Sequence, residues 1–228
     1  MATFILVPGA WHGSWAFEAV TPLLEAAGHT VHALTLTGLG PDHDATTAAR
    51  ANLDTHADDV VGVLETAGIA EATLVGHSYG GMVISAAADR AAERVSRLVY
   101  LDAYVPRDGD SCWSLTTNAY RQSFIDGAAE LGYAVRPPFR ATRGGEARRR
   151  PHPLASLVQR IRLTGAADGI ARRDFIFCSG WQDETPFASL RARLGADPNW
   201  RVRDIPTGHN AMREDPDAVA ELLIDRPR

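Results

Sequence analysis

The segment Thr73–Ala88, TLVGHSYGGMVISAAA, decides the fold, and the rest of the chain is arranged around it. It begins as an apolar, β-branched run typical of a buried strand and continues in a pattern typical of a helix. Between the two, residues 76–80 (GHSYG) fit G-x-S-x-G, the sharp turn that raises a serine hydroxyl above the end of a strand. The pattern predicts that Ser78 is a nucleophile and that the backbone N–H of Tyr79 faces the same point.

Composition limits the classes of protein to consider. The chain has 228 residues, 45% hydrophobic and 22% charged, enough for one good core and a single compact domain. A net charge of -5 gives no reason to expect a nucleic acid or an anionic membrane as a partner, so we expect a small-molecule substrate. Composition does not set the oligomeric state.

The cysteine count and the N-terminal segment both bear on the cellular compartment. Cys112 and Cys178 are too few for a disulfide scaffold or a four-thiolate metal site. The start, MATFILVPGA, lacks a basic n-region and runs into a glycine turn, so it is typical of a strand rather than a signal peptide. We therefore expect a cytoplasmic protein.

Apolar runs typical of buried strands alternate with helical patterns along the chain. Besides the strand before Ser78, strands are predicted at Thr3–Val7, His29–Leu36, Val95–Leu101, Phe175–Cys178 and Arg201–Ile205. Helices are predicted at Trp15–Ala27, from Leu53 to Gly68 with a capping box of Thr55 and Asp58, after Ser78, and after Asp215-Pro216. This alternation predicts an α/β fold: a mostly parallel sheet of about six strands with helices on both faces.

One interval is too long for a simple crossover between strands. Residues 104–173 lie between the strand ending near 101 and the strand starting near 175, and they are interrupted by prolines. We expect a cap over the site, helical near 120–131 and 154–161, inserted into a core of residues 1–103 and 174–228. Its segment Arg140–Arg150, RATRGGEARRR, concentrates positive charge. Because charge runs on loops are usually just hydrated, we favour a solvated loop over an anion-recognition patch.

A serine nucleophile needs a base and an acid that orients it. His209, in PTGHN after the last predicted strand, has the position expected of the base. Two carboxylates follow strands, Asp102 after LVYL and Asp183 after FIFCSGWQ. We favour Asp102, because an aspartate that continues a buried strand needs a partner to offset its desolvation, whereas Asp183 also fits a turn or a helix cap.

Acyl transfer also needs two N–H donors for the oxyanion. Tyr79 supplies one, and the loop after the first strand, PGAWHG, is expected to supply the other from Ala10. Trp11, His12 and His77 are candidates for the wall of the substrate pocket, although packing or backbone hydrogen bonding is the favoured role of both histidines. None of the seven other histidines has metal-ligand spacing with a partner histidine or carboxylate, so no metal is expected. The hydrolase hypothesis is also free of a cofactor.

The sequence resembles the α/β-hydrolase superfamily, in its compact branch of small esterases, plant methyl esterases and hydroxynitrile lyases. The matching stretches are PGAWHGSW at 8–15, LTLTGLG at 34–40, NLDTHADDVVGVLE at 52–65, GHSYGGMVI at 76–84, LVYLDAYVPRDG at 98–109 and TGHNAM at 207–212. The resemblance implies a triad of Ser78, His209 and an aspartate, with Ala10 and Tyr79 as the oxyanion hole. Only the cap has no counterpart in the resemblance.

Three differences from the family bear on function. Pro8 stands where the family usually has histidine, and Asn210 stands where the plant lyases carry lysine, which argues against cyanohydrin cleavage. Many bacterial relatives lack a carboxylate at the position of Asp183 but keep LDA-x-VP, which favours Asp102, as in haloalkane dehalogenases. Ser78 excludes the aspartate-nucleophile chemistry of those dehalogenases.

The resemblance and the ordered Ser78, acid and His209 predict a serine hydrolase that cleaves a small or medium carboxylic ester, lactone or thioester through an acyl-enzyme. One alternative keeps the triad but carries out lyase, cyclase or acyl-transfer chemistry on a biosynthetic intermediate. Another is a ligand receptor that retains the pocket without useful catalysis.

Overall fold

The computed structural model describes residues 1–42, 44–138, 148–181 and 185–224. Its strands are, in chain order, β1 (Thr3–Val7), β2 (Thr30–Ala33), β3 (Ala72–His77), β4 (Val95–Leu101), β5 (Ala134–Val135), β6 (His152–Pro153), β7 (Arg172–Cys178) and β8 (Arg201–Ile205). Within the described ranges, six of them form a parallel sheet in the order β2-β1-β3-β4-β7-β8, and β5 and β6 form a separate antiparallel ribbon. The α/β fold predicted from the sequence is confirmed.

Helices connect the strands and cover both faces of the sheet. They are α1 (Thr21–Ala26), α2 (Ala45–Arg50), α3 (Leu53–Thr66), α4 (Gly80–Arg90), α5 (Cys112–Leu115), α6 (Asn118–Ala128), α7 (Leu154–Val158), α8 (Ala188–Gly195), α9 (Ala211–Glu214) and α10 (Pro216–Ile224). Among the helices of the described residues, none has the length and apolar character needed to cross a membrane.

Two helix predictions were wrong in detail. The predicted helix 15–27 is divided into a 3-10 turn, Ser14–Phe17, and α1, because Pro22 has no N–H and fits only in the first turn of a helix. The capping box of α3 uses Asn52 rather than Asp58: the Asn52 side chain accepts the Thr55 N–H at 3.0 Å, and the Thr55 hydroxyl accepts the Asn52 N–H at 3.4 Å.

The core lies in two layers, one on each face of the sheet. Side chains of α3, α4 and α8 pack on one face, and those of α1, α9 and α10 pack on the other. Between these layers β3, ATLVGH, is buried along its whole length. Burial on both faces explains why a continuous apolar run, rather than an alternating one, encodes this strand.

Strand register brings the carboxyl ends of the central strands to one edge. Val7 pairs with Gly76, His77 with Leu101, and Cys178 with Ile205. The residues that follow β1, β3, β4, β7 and β8 therefore converge, which is where ligands bind in open parallel sheets.

The segment between β4 and β7, here called the cap, contains α5, α6, α7 and the β5–β6 ribbon. The helices expected near 120–131 and 154–161 correspond to α6 and α7. The β5–β6 ribbon was not predicted, and β7 begins at Arg172, three residues before the predicted Phe175. Backbone hydrogen bonds from Gly109 to Ile161 and from Ile161 to Asp110 join the two arms of the cap.

A buried ion pair holds the opposite edge of the sheet. Asp174 on β7 accepts Arg97 Nε of β4 at 2.7 Å and Arg201 Nε of β8 at 2.6 Å, and the side chains of Asp174 and Arg97 are each only 3% exposed. Burial opposes ionisation of Asp174, but the hydrogen bonds from Arg97 and Arg201 hold its pKa below the usual value. Arg97 also donates to the Leu223 carbonyl at 2.6 Å, which attaches α10 to the sheet.

Candidate active site

Ser78 lies on a sharp turn between β3 and α4. It adopts a positive φ of 54°, a conformation that costs energy for a residue with a side chain. The turn is too tight for side chains on the flanking glycines: a Cβ on Gly76 would lie 2.6 Å from the Gly80 carbonyl oxygen, and one on Gly80 would lie 2.5 Å from the Val7 oxygen. The two glycines are therefore a steric requirement for presenting the Ser78 side chain at the edge of the sheet.

Asp102 follows β4 directly and is fully buried, also with a positive φ, of 44°. Its Oδ2 accepts His209 Nδ1 at 2.7 Å and Trp181 Nε1 at 2.8 Å, while its Oδ1 accepts the Cys178 backbone N–H at 3.2 Å. Because a carboxylate oxygen only accepts, His209 carries its proton on Nδ1 in this contact. Its Nε2 is then the nitrogen with a free lone pair, as a base requires.

The alternative acid, Asp183, lies outside the described residues. The structure therefore brings together Ser78, Asp102 and His209 at one edge of the sheet, and Ser78 and His209 line the same cavity.

Aromatic side chains fix the His209 ring. Phe187 stacks on it with ring centroids 5.8 Å apart, and the rings of Trp181 and His77 lie 4.7 and 4.5 Å away. His77 also donates from Nε2 to the His209 carbonyl at 2.9 Å, which attaches the histidine loop to the serine turn. Neighbours on several sides leave the imidazole little freedom to rotate.

The loop after β1 packs directly on the serine turn. A Cβ on Gly9 would lie 2.9 Å from the Ser78 Cβ, so glycine is needed for this approach. The next residue, Ala10, lines the cavity beside Ser78. Within the described ranges, neither the Ala10 N–H nor the Tyr79 N–H donates a hydrogen bond to the protein. Both N–H groups are therefore without a backbone acceptor in this part of the chain.

The three predicted pocket residues, Trp11, His12 and His77, all line this cavity. Both histidines are buried, and His12 donates from Nδ1 to the Ala10 carbonyl at 2.7 Å. Burial lowers the pKa of His12 to about 4 and that of His77 well below its usual value. Both are neutral at physiological pH and hold loops in place through backbone contacts, the role favoured from the sequence.

The cavity has a volume of about 480 Å³ and lies between the strand ends and the cap. Its walls include the aromatic side chains of Trp11, Tyr104, Trp181 and Phe187, and Ser78 and His209 are exposed to it. A cavity of this size accommodates a small or drug-sized molecule. Among the described residues, no group of three or more His, Cys, Asp or Glu side chains is arranged to hold a metal ion.

The basic segment Arg140–Arg150 is described only from Arg148 onward. Arg148 forms an ion pair with Glu18 at 2.6 Å, and its guanidinium lies over the Trp15 ring at 5.0 Å. Arg149 lines the cavity. The described end of this segment thus contacts the core and the site, while Arg148 and Arg150 remain exposed to solvent.

Sequence reasoning missed a buried polar network beneath the site. His56 of α3 contacts the Tyr79 hydroxyl at 2.9 Å and the Thr37 carbonyl at 2.9 Å, and the His152 ring of the cap lies 4.7 Å from the Tyr79 ring. His56 falls on the same helix face as Leu53 and Val60, and both of these are buried. A histidine on an apolar helix face needs an internal partner, and that signal was present in the sequence.

Comparisons with known proteins agree with this architecture. The model of the alpha/beta hydrolase family matches residues 4–222. The chain is 36% identical over 240 residues to a carbendazim hydrolyzing esterase of Nocardioides sp. (strain SG-4G), with 98% of both chains covered. It is 35% identical over 104 residues to methylesterase 2 of Arabidopsis thaliana, covering 45% of this chain and 40% of that relative.

The fold is also similar to that of a solved structure. An extracellular alpha/beta-hydrolase from a Paenibacillus species superposes with a TM-score of 0.85 at 22% identity, over 98% of both chains. At that identity the similarity shows the fold alone. The family match, which covers nearly the whole chain, and the full-length esterase relative show more: the chain belongs to the alpha/beta hydrolase family and is an esterase-like enzyme.

Proposed function

We propose that the chain is a serine hydrolase in which Ser78 is the nucleophile, His209 the base and Asp102 the acid that orients it. The observation that carries this proposal is the 2.7 Å contact from His209 Nδ1 to Asp102, made at the cavity into which Ser78 is presented. The carboxylate fixes the imidazole tautomer and stabilises the imidazolium that forms when Nε2 takes the serine proton.

The reaction proceeds in two halves. The Ser78 oxygen attacks the carbonyl carbon while its proton passes to His209 Nε2, and the N–H groups of Ala10 and Tyr79 stabilise the oxyanion. The leaving alcohol departs with the proton from His209, which leaves an acyl group on Ser78. Water then attacks this acyl-enzyme with His209 again as base, releasing the acid and restoring the serine.

The cavity supports a small or medium carboxylic ester, lactone or thioester as substrate. Its aromatic walls favour a flat aromatic group on either side of the scissile bond. The full-length relative is a carbendazim hydrolyzing esterase, so carbendazim belongs among the compounds to test. All proposed chemical groups come from the protein itself, so no cofactor is invoked.

The proposal is tested with a panel of aryl esters, a lactone, a thioester and carbendazim, assayed for the wild type, Ser78→Ala and Ser96→Ala. Ser96 is an exposed serine at the start of β4 and serves as the matched control. We expect Ser78→Ala to lose both turnover and labelling by a fluorophosphonate probe, and Ser96→Ala to retain both. Turnover or labelling that persists in Ser78→Ala refutes the covalent scheme.

The same panel separates the two alternatives. Probe labelling at Ser78 without hydrolysis of any ester would favour lyase, cyclase or acyl-transfer chemistry. Tight binding of a ligand that is never consumed, and that does not depend on Ser78, would favour a receptor.

A further inference from the structure

Trp11, the residue next to Ala10, is held entirely by the cap. Its backbone N–H donates to His152 Nδ1 at 3.3 Å, its carbonyl accepts the Arg150 N–H at 3.1 Å, and its indole N–H donates to the Val135 carbonyl at 2.8 Å. All three of its polar groups are thus bound to Val135, Arg150 and His152. These three contacts are called the Trp11 tether below.

The tether holds a conformation that Trp11 would not adopt by itself. Trp11 has a positive φ of 66°, where a bulky side chain collides with its own backbone. Such a conformation persists only when surrounding contacts determine it. The peptide between Ala10 and Trp11 carries the Ala10 carbonyl and the Trp11 N–H that is bound to His152. Relaxation of Trp11 would rotate this peptide and move the Ala10 Cα, and with it the Ala10 N–H on the other side of that atom.

The hydrogen bonds around His152 define its protonation. The Ser156 hydroxyl donates to the Pro153 carbonyl at 2.8 Å, so the 2.8 Å contact between Ser156 Oγ and His152 Nε2 uses a proton on the imidazole. Nδ1 then carries the lone pair that accepts the Trp11 N–H. His152 is fully buried and its pKa is well below the usual value because of that burial, so this neutral tautomer persists at physiological pH.

Tyr79, whose backbone N–H is the second proposed donor, contacts the same histidine through its side chain. The Tyr79 ring packs on His152 edge to face at 4.7 Å. Since the Thr37 carbonyl takes the proton of His56 Nε2, the Tyr79 hydroxyl donates to His56 Nδ1. His152 therefore contacts Trp11, which follows one proposed donor, and the side chain of Tyr79, which carries the other, and it is not among the residues lining the cavity.

We propose that His152 is a positioning residue, through which the cap holds the Ala10 N–H in the direction that an oxyanion needs. The inference rests on the proposed function of Ala10 and Ser78. Stabilisation of the transition state then depends on correct packing of the cap. Loss of the acceptor at position 152 should thus weaken binding of the transition state while leaving binding of the uncharged ester unchanged.

The test compares His152→Leu, which removes the acceptor, with His152→Asn, whose Oδ1 stands at the position of Nδ1. Asp89→Ala is the matched control, because Asp89 accepts N–H groups of Thr164 and Gly165 and so attaches the cap elsewhere. The measurements are kcat, KM and inhibition by a trifluoromethyl ketone, which forms an oxyanion adduct with a serine nucleophile, all corrected for folded fraction.

We expect His152→Leu to lower kcat by about 10² to 10³, the typical loss of one oxyanion donor, with KM within about twofold. Affinity for the ketone should fall by the same factor, His152→Asn should recover most of both, and Asp89→Ala should match the wild type. Wild-type kcat in folded His152→Leu overturns the proposal, as does an equal loss in Asp89→Ala.

A measurement that does not depend on catalysis tests this proposal separately from the proposed function. Hydrogen exchange at the Trp11 backbone amide should become faster in His152→Leu and remain protected in His152→Asn. Unchanged protection in His152→Leu overturns the positioning role, whatever the activity. Absence of Ser78-dependent turnover in the wild type, with exchange behaving as expected, refutes the hydrolase assignment and leaves the structural role of His152 intact.

Discussion

Trp181 and His209 donate to the same oxygen of Asp102, at 2.8 and 2.7 Å. The Trp181 ring also lies 4.7 Å from the His209 ring. One tryptophan therefore contacts both the proposed acid and the proposed base. It limits rotation of the carboxylate, so that the oxygen facing His209 stays in place.

Trp181→Phe should lower kcat/KM by about tenfold. Phenylalanine keeps much of the ring packing but removes the indole donor, and a hydrogen bond to a charged group contributes about 1.5 to 3 kcal/mol. Steady-state kinetics on an aryl ester measure the change. Trp200→Phe, which alters a ring packed on Tyr100 away from the site, is the control and should retain full activity. Equal losses in both variants would assign the effect to packing.

Asp102→Asn should reduce kcat by a factor of the order of 10⁴, because the amide cannot hold the required imidazole tautomer. Asp183→Asn should stay within about twofold of the wild type. Both are assayed at matched folded fraction, judged by circular dichroism. A large loss in Asp183→Asn and a small one in Asp102→Asn would transfer the role to Asp183.

The three proposed catalytic residues could be selected from the sequence because their placement depends on local rules. Ser78 follows from the turn motif, Asp102 from its position directly after the buried strand β4, and His209 from its position in the loop after the last strand, β8. The register brings these strand ends to one edge. Residues such as Trp181 and His152 could not be assigned in this way. His152 is 141 residues from Trp11 in sequence, and only the packing of the cap brings them together.

Acid should destabilise the fold below pH 6.5. Burial lowers the pKa values of His12, His56, His77 and His152, so the unfolded chain binds protons that the folded chain does not. These histidines do not reduce the free energy of unfolding above pH 6.5. Below that pH the free energy of unfolding falls, by up to about 1.4 kcal/mol per pH unit for each histidine. Urea unfolding at a series of pH values measures this slope.

His12→Asn provides the control for that prediction. Its amide can donate to the Ala10 carbonyl as His12 Nδ1 does, but it does not titrate. Since the pKa of His12 is about 4, the variant should lose about 3 kcal/mol less than the wild type between pH 6.5 and pH 4. If the free energies of unfolding of the two proteins changed equally with pH, this would contradict a neutral, buried His12.

Asp174→Asn should reduce the free energy of unfolding by about 3 to 5 kcal/mol, because the buried Arg97 guanidinium loses its counter-charge. Asp204→Asn breaks the Arg191–Asp204 pair, whose side chains are 45% and 40% exposed, and should have little effect because solvent screens the pair. Urea denaturation of both variants gives the comparison. Similar small losses would mean that water reaches Arg97.

Gly76→Ala should prevent correct folding of the serine turn, since the new Cβ would lie 2.6 Å from backbone. Gly62→Ala, inside α3 with open space around the added methyl group, should instead stabilise the protein by about 1 kcal/mol. Thermal unfolding and fluorophosphonate labelling measure the two effects. A folded, labelled Gly76→Ala would show that the turn can widen.

The cap leaves the chain after β4 and returns at β7, and these strands are neighbours in the sheet. Exchanging this segment for another would therefore leave the order and pairing of the strands unchanged, so substrate range can be altered by grafting without redesign of the core. We expect a graft of this kind to be active only if it brings its own acceptor for the Trp11 N–H, as His152 does here. Chimeras that carry such an acceptor, and chimeras that lack it, are the proteins to build.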